Sequence, residues 1–249
     1  ELLSPDLGKS NMDFSIEGKN IRFGLNSIKG VSEKSLLSLR QFRETNTPTK
    51  FDIFIVAKQA GLNIGIVSAL IQAGALSSYK DNRSLLVLEA QSFNLLTDRE
   101  KRNILELGSS YDFKLLSILA DARDGKLVGD DGKLLMSEKR FETFRKKYQP
   151  YKSIYEKNKK YEKFANWYFE TKLLGYSYTT SLQQVFSQDA HLSNTSQIKA
   201  QTTRGEVKLI GTVSDSFKRT SRNGNDYLKL SIEDEKGSIE CLFMNSRRR

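Results

Sequence analysis

The chain has 249 residues, with 40 Lys and Arg against 30 Asp and Glu and a formal charge of +10. That balance suits a polyanionic partner, yet is mixed enough in sign for an ordinary folded protein. A hydrophobic content of 38% with 10% aromatics can fill a core and excludes wholesale disorder.

No apolar run approaches the roughly 20 residues that span a bilayer, and the start ELLSPDLGKS has no signal-peptide pattern, so a soluble, unsecreted protein with no membrane partner is expected. A single cysteine, Cys241, and a single histidine, His191, exclude an internal disulfide and most metal or acid–base constellations. Cys241 lies in the alternation SIECLFM and is predicted to be a buried strand residue, whereas His191 lies in a polar stretch that predicts a solvated linker. Glu1 in the first position is what a fragment or a processed chain would show.

Residues 1–20 lack periodicity and predict an extended lead-in. A helix is predicted from Glu33, capped by Ser32, with Leu36, Leu39 and Phe42 or Arg43 on one face and an end at Pro48. FDIFIVAKQAG predicts a second helix closed by Gly61, and NIGIVSALIQAGAL a third, interrupted at Gly74. Arg83 to Ser92 continues helically, and Thr97 with Glu100 forms a capping box that opens one more helix through Leu107. Residues 21–107 thus predict several short helices joined by tight glycine turns.

The composition then changes. DGKLVGDDGKLL predicts a hairpin or loop excursion. Beyond Ser137, Phe141, Phe144, Tyr148, Tyr151 and Tyr155 recur at helical spacing, and Tyr161, Phe164 and Tyr168 resume it, among many Lys and Arg. Basic residues interleaved with aromatics are compatible with base stacking, but so regular a stripe favours core aromatics backed by a solvated basic face. Pro150 is expected to split the segment into two helices. Residues 177–204, rich in Ser, Thr and Gln, predict a linker with one short helical piece. From Gly205, VKLIGTV, YLKLSIE and SIECLFM predict three antiparallel strands, with Phe217 to Asn225 as the first loop. The fold class is therefore α+β, helical first and a β-meander last.

Two constellations suggest a function. The glycine turn at Lys29-Gly30, leading into a helix at Ser32 with Lys34 beside it, would present free backbone N–H groups to a phosphate. A second turn at Gly74, followed by Lys80 and Arg83, would grip the same backbone at a later phosphate, giving sequence-independent, salt-dependent duplex binding. In the meander, Lys218, Arg219 and Arg222 of the first loop supply cations, and Tyr227 and Phe243 are either stacking rings or core. No Walker, Rossmann or nucleophile-elbow motif is present, and the acidic groups Asp130-Asp131 and Glu233-Asp234-Glu235 fit turn chemistry better than a Mg²⁺ site. No catalytic residue, metal ligand or cofactor is assigned.

IRFGLNSIKGV, LIQAGAL with Asn82-Arg83, LLGYSY, and GTVSDSFKRTSRNGNDYLKLSIEDEKGSIECLF, in that order, resemble the C-terminal half of bacterial C-family replicative polymerases, the DNA polymerase III alpha subunits and their phage relatives. The resemblance implies a lead-in from the fingers region over 1–20, a tandem helix-hairpin-helix domain over 21–107, a connector over 108–176, a linker over 177–204, and a partial oligonucleotide-binding (OB) barrel over 205–249. Residues 108–165 match poorly. Ser32 stands where the family carries a second hairpin glycine, and Thr180-Ser181-Leu182 where it carries His-Pro-Leu, departures that suggest a divergent, phage-like member.

The resemblance further implies Mg²⁺-dependent nucleotidyl transfer by a palm domain upstream of residue 1. Its implied partners are primer–template duplex, single-stranded template, upstream polymerase domains and replisome subunits such as a sliding clamp, in the cytoplasm of a bacterial or phage-infected cell. Two readings stand beside it: a free-standing nucleic-acid-binding accessory protein, and a replisome interaction scaffold docking through the aromatic helix.

Overall fold

The computed structural model describes residues 1–34, 36–37, 39, 49–186, 192–201 and 205–244. The chain forms two compact units, Glu1–Gly175 and Tyr176–Arg249. The fold is α+β, with helices concentrated in the first unit and the longest strands in the second. Phe42, Arg43, Pro48 and His191, named above, lie outside the described residues.

In the first unit the lead-in is more than an extended strand. β1 (Leu2–Leu3), β2 (Ser15–Glu17) and β3 (Asn20–Arg22) form a small sheet in the order β1-β3-β2, with Ile21 opposite both Leu2 and Ile16. Arg22 holds it together: its guanidinium donates to both carboxylate oxygens of Glu17 at 2.7 and 2.8 Å and to the Ser4 carbonyl at 2.8 Å. The chain turns helical at Glu33, and Leu36 and Leu39 are buried as their spacing predicts.

α1 (Lys50–Gln59) starts at a Thr49–Asp52 capping box, and α2 (Ile64–Gln72) starts where the Asn63 side chain accepts from the Ile66 N–H. α3 (Arg83–Asn94) and α4 (Asp98–Leu107) follow, the latter opened by the predicted Thr97–Glu100 box with both arms formed. α5 (Leu115–Arg123) is an addition to the predicted elements. After it, Val128 and Leu134 bridge across the predicted hairpin, where the Leu135 N–H donates to the Leu127 carbonyl at 2.8 Å.

α6 (Glu138–Asn158) corrects the expected break at Pro150, because the helix runs through the proline and ends at Asn158. Pro150 removes one donor, but both it and Lys146, whose carbonyl is left without that donor, are solvent-exposed, so water can satisfy the carbonyl. A short 3₁₀ turn at Lys159–Tyr161 leads into α7 (Glu162–Leu174).

α3 is central to this unit. Leu86, Leu88, Ala90 and Phe93 are all buried; Phe93 stacks on Phe51 at 5.7 Å and tilts against Phe54 at 5.6 Å. Each such ring stabilises the fold by about 1.5–3 kcal/mol through burial. The aromatic stripe of α6 behaves as expected only near its start, where Phe144 and Tyr148 are buried and stacked. Farther along, Tyr151, Tyr161, Phe164 and Tyr168 are exposed, which corrects the expectation that the whole stripe is core.

The second unit carries β6 (Thr212–Thr220), β7 (Asp226–Asp234) and β8 (Gly237–Met244) in a continuous antiparallel meander. Phe217 to Thr220, expected in the first loop, lie instead on β6, because the turn tightens to Ser221–Asn225. Cys241 sits on β8 as predicted but only half-buried.

The segment expected as a linker contains α8 (Leu182–Val185), α9 (Thr195–Ala200) and β4 (Leu192–Ser193), which pairs in parallel with β5 (Lys208–Leu209). Each helix opens on its own capping box, Ser181–Gln184 and Asn194–Gln197, and a distant turn adds to it. Asp234 accepts from the Thr195 N–H and hydroxyl at 2.7 and 2.6 Å, and Glu235 accepts from the Leu182 N–H at 2.7 Å, so the acidic β7–β8 turn caps both helices.

Among the described residues of the first unit, buried charge is paired, with one exception. Lys50 contacts Asp81 at 2.7 Å and Glu89 at 2.6 Å, and the other Glu89 oxygen accepts from the Leu115 N–H, tying α1 and α5 to α3. Arg140 forks onto Glu100 at 2.8 Å twice and reaches the Leu95 carbonyl, tying α6 to the α3–α4 junction.

The exception is Lys101, whose buried Nζ has no hydrogen-bond acceptor and lies 4.0 Å from Asp98. Burial lowers its pKa from 10.5 to about 8, with the neighbouring Lys58 adding to the effect. Below about pH 8 the folded state carries the full cost of this ammonium; between about 8 and 10.5 the unfolded chain binds more protons, so stability rises with pH. Lys101→Met should therefore stabilise the protein at pH 7 by about 1 kcal/mol, or about 2–4 °C in melting temperature. The gain should shrink as pH climbs past 8, and thermal melts at pH 7 and pH 10 read both effects.

Candidate nucleic-acid interface

The first predicted turn has the expected form. The Val31 N–H donates to the Ile28 carbonyl at 3.1 Å across Lys29 and Gly30, and Gly30 has φ +85°, the type II arrangement that calls for glycine at the third position. A Cβ on Gly30 would meet nothing within 4 Å, so the requirement is conformational and the turn stands open to solvent. Among the described residues the Gly30 N–H has no acceptor.

The Lys29 N–H donates to the Leu173 carbonyl at 3.0 Å, anchoring the turn on the end of α7, while the Lys29 side chain is exposed. Ser32 and Lys34 are exposed, and the Ser32 carbonyl closes the first helical turn by accepting from Leu36 at 3.2 Å. Lys29, Gly30, Ser32 and Lys34 therefore form one solvent-facing group: a bent backbone at a helix entry with a cation on either side.

The second predicted turn is a different object. Gly74 (φ +88°) closes α2, its N–H donating to the Ile71 carbonyl while the Ala75 N–H donates to Leu70. Its carbonyl accepts from the Ser77 backbone and hydroxyl, and the residue is buried. No group on Gly74 is left to meet a phosphate.

Arg83 also departs from its expected role. It is buried, donates to the Gln72 carbonyl at 3.2 Å, and forms an ion pair with the fully buried Glu170 of α7. Lys80 alone of this group is exposed. Sequence reading missed the turn between α1 and α2, where Gly61 (φ +73°) is exposed and Gly65 sits in the first turn of α2. The signal available was Asn63 followed by a small residue at a helix start.

On the meander, register decides which candidates meet. Arg219 lies directly opposite Tyr227, and Phe217 shares their face, with the Arg219 guanidinium 5.7 Å from the Phe217 ring. Lys218 points to the opposite face, opposite Leu228 and Phe243, and pairs with Asp226 at 2.9 Å. That hydrogen bond holds the Lys218 ammonium above its ordinary range and the Asp226 carboxyl below its own. Arg222 sits exposed in the turn. The loop cluster predicted from sequence is thus divided between two faces and a turn.

The acidic groups considered for metal are structural. Asp131 is forked by Arg99 at 2.8 Å twice, which holds its carboxyl far below the usual range, and Asp234 and Glu235 cap helices as described. Among the described residues no three His, Cys, Asp or Glu side chains converge. No helix among the described residues is long and apolar enough to cross a membrane.

Residues 1–86 match the family model described as a helix-hairpin-helix motif. A DNA polymerase III subunit alpha of Aquifex aeolicus is 39% identical over 90 residues, covering 35% of this chain and 8% of that protein. The corresponding protein of Saccharopolyspora erythraea is 22% identical along 98% of this chain, covering 19% of its own length. An error-prone DNA polymerase of Corynebacterium diphtheriae is 32% identical over 77 residues, covering 31% of the chain and 7% of that protein. The chain spans about a fifth or less of these relatives. The chain is thus similar to bacterial DNA polymerase III alpha subunits, and its first 86 residues match the helix-hairpin-helix motif.

Proposed function

We propose that this chain is a DNA-binding segment of a replicative polymerase that holds duplex backbone at the Lys29–Lys34 turn. The observation that carries the reading is the open type II turn with an unused Gly30 N–H, set between exposed Lys29 and Lys34 inside the region matching the helix-hairpin-helix model. A backbone N–H at a helix entry, with cations on either side, binds a phosphate oxygen without reading sequence. Lys80 adds a further exposed cation.

In the second unit, Arg219, Tyr227 and Phe217 share one face and would approach the single-stranded template as an OB-type sheet does. Template-directed synthesis, its metal-binding carboxylates, clamp contacts and a cytoplasmic site of action would then belong to the parent polypeptide.

Fluorescence anisotropy on a primed duplex tests the reading. Affinity should fall steeply with salt, and Lys29→Glu with Lys34→Glu should weaken binding and reduce the salt slope by about 2. Binding that is flat in salt, or indifferent to both reversals, would overturn it. Gly30→Ala leaves the charges in place but forces an alanine into left-handed backbone, so it should cost about 1–2 kcal/mol in stability and also weaken duplex binding.

A variant remote from DNA should act on the same turn. Glu170→Gln leaves Arg83 buried without its counter-charge, at a cost of about 3–5 kcal/mol, and loosens the end of α7 that anchors Lys29. Duplex affinity at a temperature where the fold persists should fall although no DNA-facing residue has changed. Chemical denaturation and anisotropy on the same preparation separate the two effects.

A further inference from the structure

The predicted aromatic stripe leaves the core after Tyr148 of α6, and its rings on and just before α7 are exposed. On α7 the inward side is Trp167 and Glu170, at 4% and 0% exposure, whereas Tyr161, Phe164 and Tyr168 are 53%, 39% and 43% exposed. Their spacing of three and four residues puts them on one outward face.

These rings are already ordered. Phe164 and Tyr168 have centroids 6.3 Å apart with planes within 26°, and Phe164 is backed by Trp167 at 5.9 Å and 27°. Lysines close both ends: Lys160 Nζ lies 4.9 Å from the Tyr161 ring and Lys172 Nζ lies 5.7 Å from Tyr168. Lys160, Lys163 and Lys172 have no carboxylate partner among the described residues. The acids of the segment are engaged elsewhere, Glu156 with Lys159, Glu162 on the Ser84 N–H, and Glu170 with Arg83.

We propose that this face, Tyr161, Phe164 and Tyr168 with Lys160 and Lys172, is a stacking track for single-stranded DNA, separate from the Lys29–Lys34 turn. Near-parallel exposed rings offer π-faces to bases of any sequence, and unpaired ammonium groups of one sign suit a phosphate backbone. From residue 161 to 172 the helix rises about 16 Å, enough for a few nucleotides. A protein occupant would have to bring an acidic surface to this face. The proposal rests on the DNA-binding reading above but uses none of the same residues.

The test uses the full chain with two probes, a fluorescein-labelled oligo-dT and a fully paired duplex. Tyr168→Ala should weaken oligo-dT binding by roughly 5- to 100-fold and leave duplex affinity unchanged. Replacing Lys160 and Lys172 by Gln should lower the salt slope for oligo-dT by about 1.4. The protein's one tryptophan, Trp167, stacks on Phe164, so oligo-dT should quench its emission and Phe164→Ala should abolish that quench.

Unchanged oligo-dT affinity in the ring and lysine variants would overturn the proposal, as would an equal loss for both probes accompanied by a lowered melting temperature, which marks the rings as structural. A change in self-association without a change in oligo-dT binding would assign the face to a protein partner and overturn it likewise. Loss of duplex binding only in the Lys29→Glu/Lys34→Glu variant supports separate surfaces. Ring-dependent oligo-dT binding in a chain that never binds duplex would sink the turn reading and leave the track standing.

Discussion

The Arg83–Glu170 ion pair is the constraint on which the first unit turns. Both groups are nearly or fully excluded from solvent. Taking two charges out of water costs several kcal/mol each, and the Gln72 carbonyl that the guanidinium also reaches, together with the direct Arg83–Glu170 contact, offsets that cost. The consequence is positional. Arg83 begins α3, Glu170 lies one turn before the end of α7, and the Leu173 carbonyl just beyond it accepts from the Lys29 N–H. The open turn at Gly30 is thereby fixed relative to the central helix by a buried charge pair and one backbone hydrogen bond.

This arrangement changes how the charge of +10 is understood. Lys50, Arg83 and Arg140 are spent on holding helices together, each facing Glu89, Glu170 or Glu100 in the interior or at its edge. The surface available to a polyanion includes Lys29 and Lys34 beside the turn, Lys80, Arg219 and Arg222 of the meander, and the lysines of the connector helices. An arginine next to a glycine turn looks like a phosphate ligand in sequence, yet a planar guanidinium is also the side chain best suited to a buried carboxylate. Only the position of Glu170, 87 residues away, distinguishes the two uses.

Features governed by local chemistry were legible before the structure. The Thr97–Glu100 box, the glycine closing α1, the turn at Gly30 and the antiparallel meander each depend on residues within a few positions of one another. What was not legible depends on distant partners. Residues 177–204 read as a linker from their Ser, Thr and Gln content; their short helices carry local capping boxes at Ser181–Gln184 and Asn194–Gln197, but are tied down by Asp234 and Glu235, some 40 to 50 positions later. α5 likewise has its first N–H held by Glu89 of α3, and its own N-cap residue, Lys114, supplies no side-chain bond. Pro150 was expected to break a helix because an interior proline costs about 3 kcal/mol, yet α6 continues through it on an exposed stretch where both Pro150 and Lys146 meet solvent.

The meander shows the same limit at the scale of one residue. A bulge between Val213 and Asp215 places an extra residue, Ser214, on β6. Without it the pairing would run one position out of step, Lys218 would stand opposite Tyr227, and Arg219 would stand opposite Asp226. With it, Arg219 shares a face with Tyr227 and Phe217 and remains free of an acidic neighbour, while Lys218 is taken by Asp226 on the other side. Composition alone makes Lys218 and Arg219 equivalent. Their difference is created by one irregular residue upstream, which determines whether a cation and two aromatic rings present a single surface to a nucleic-acid strand.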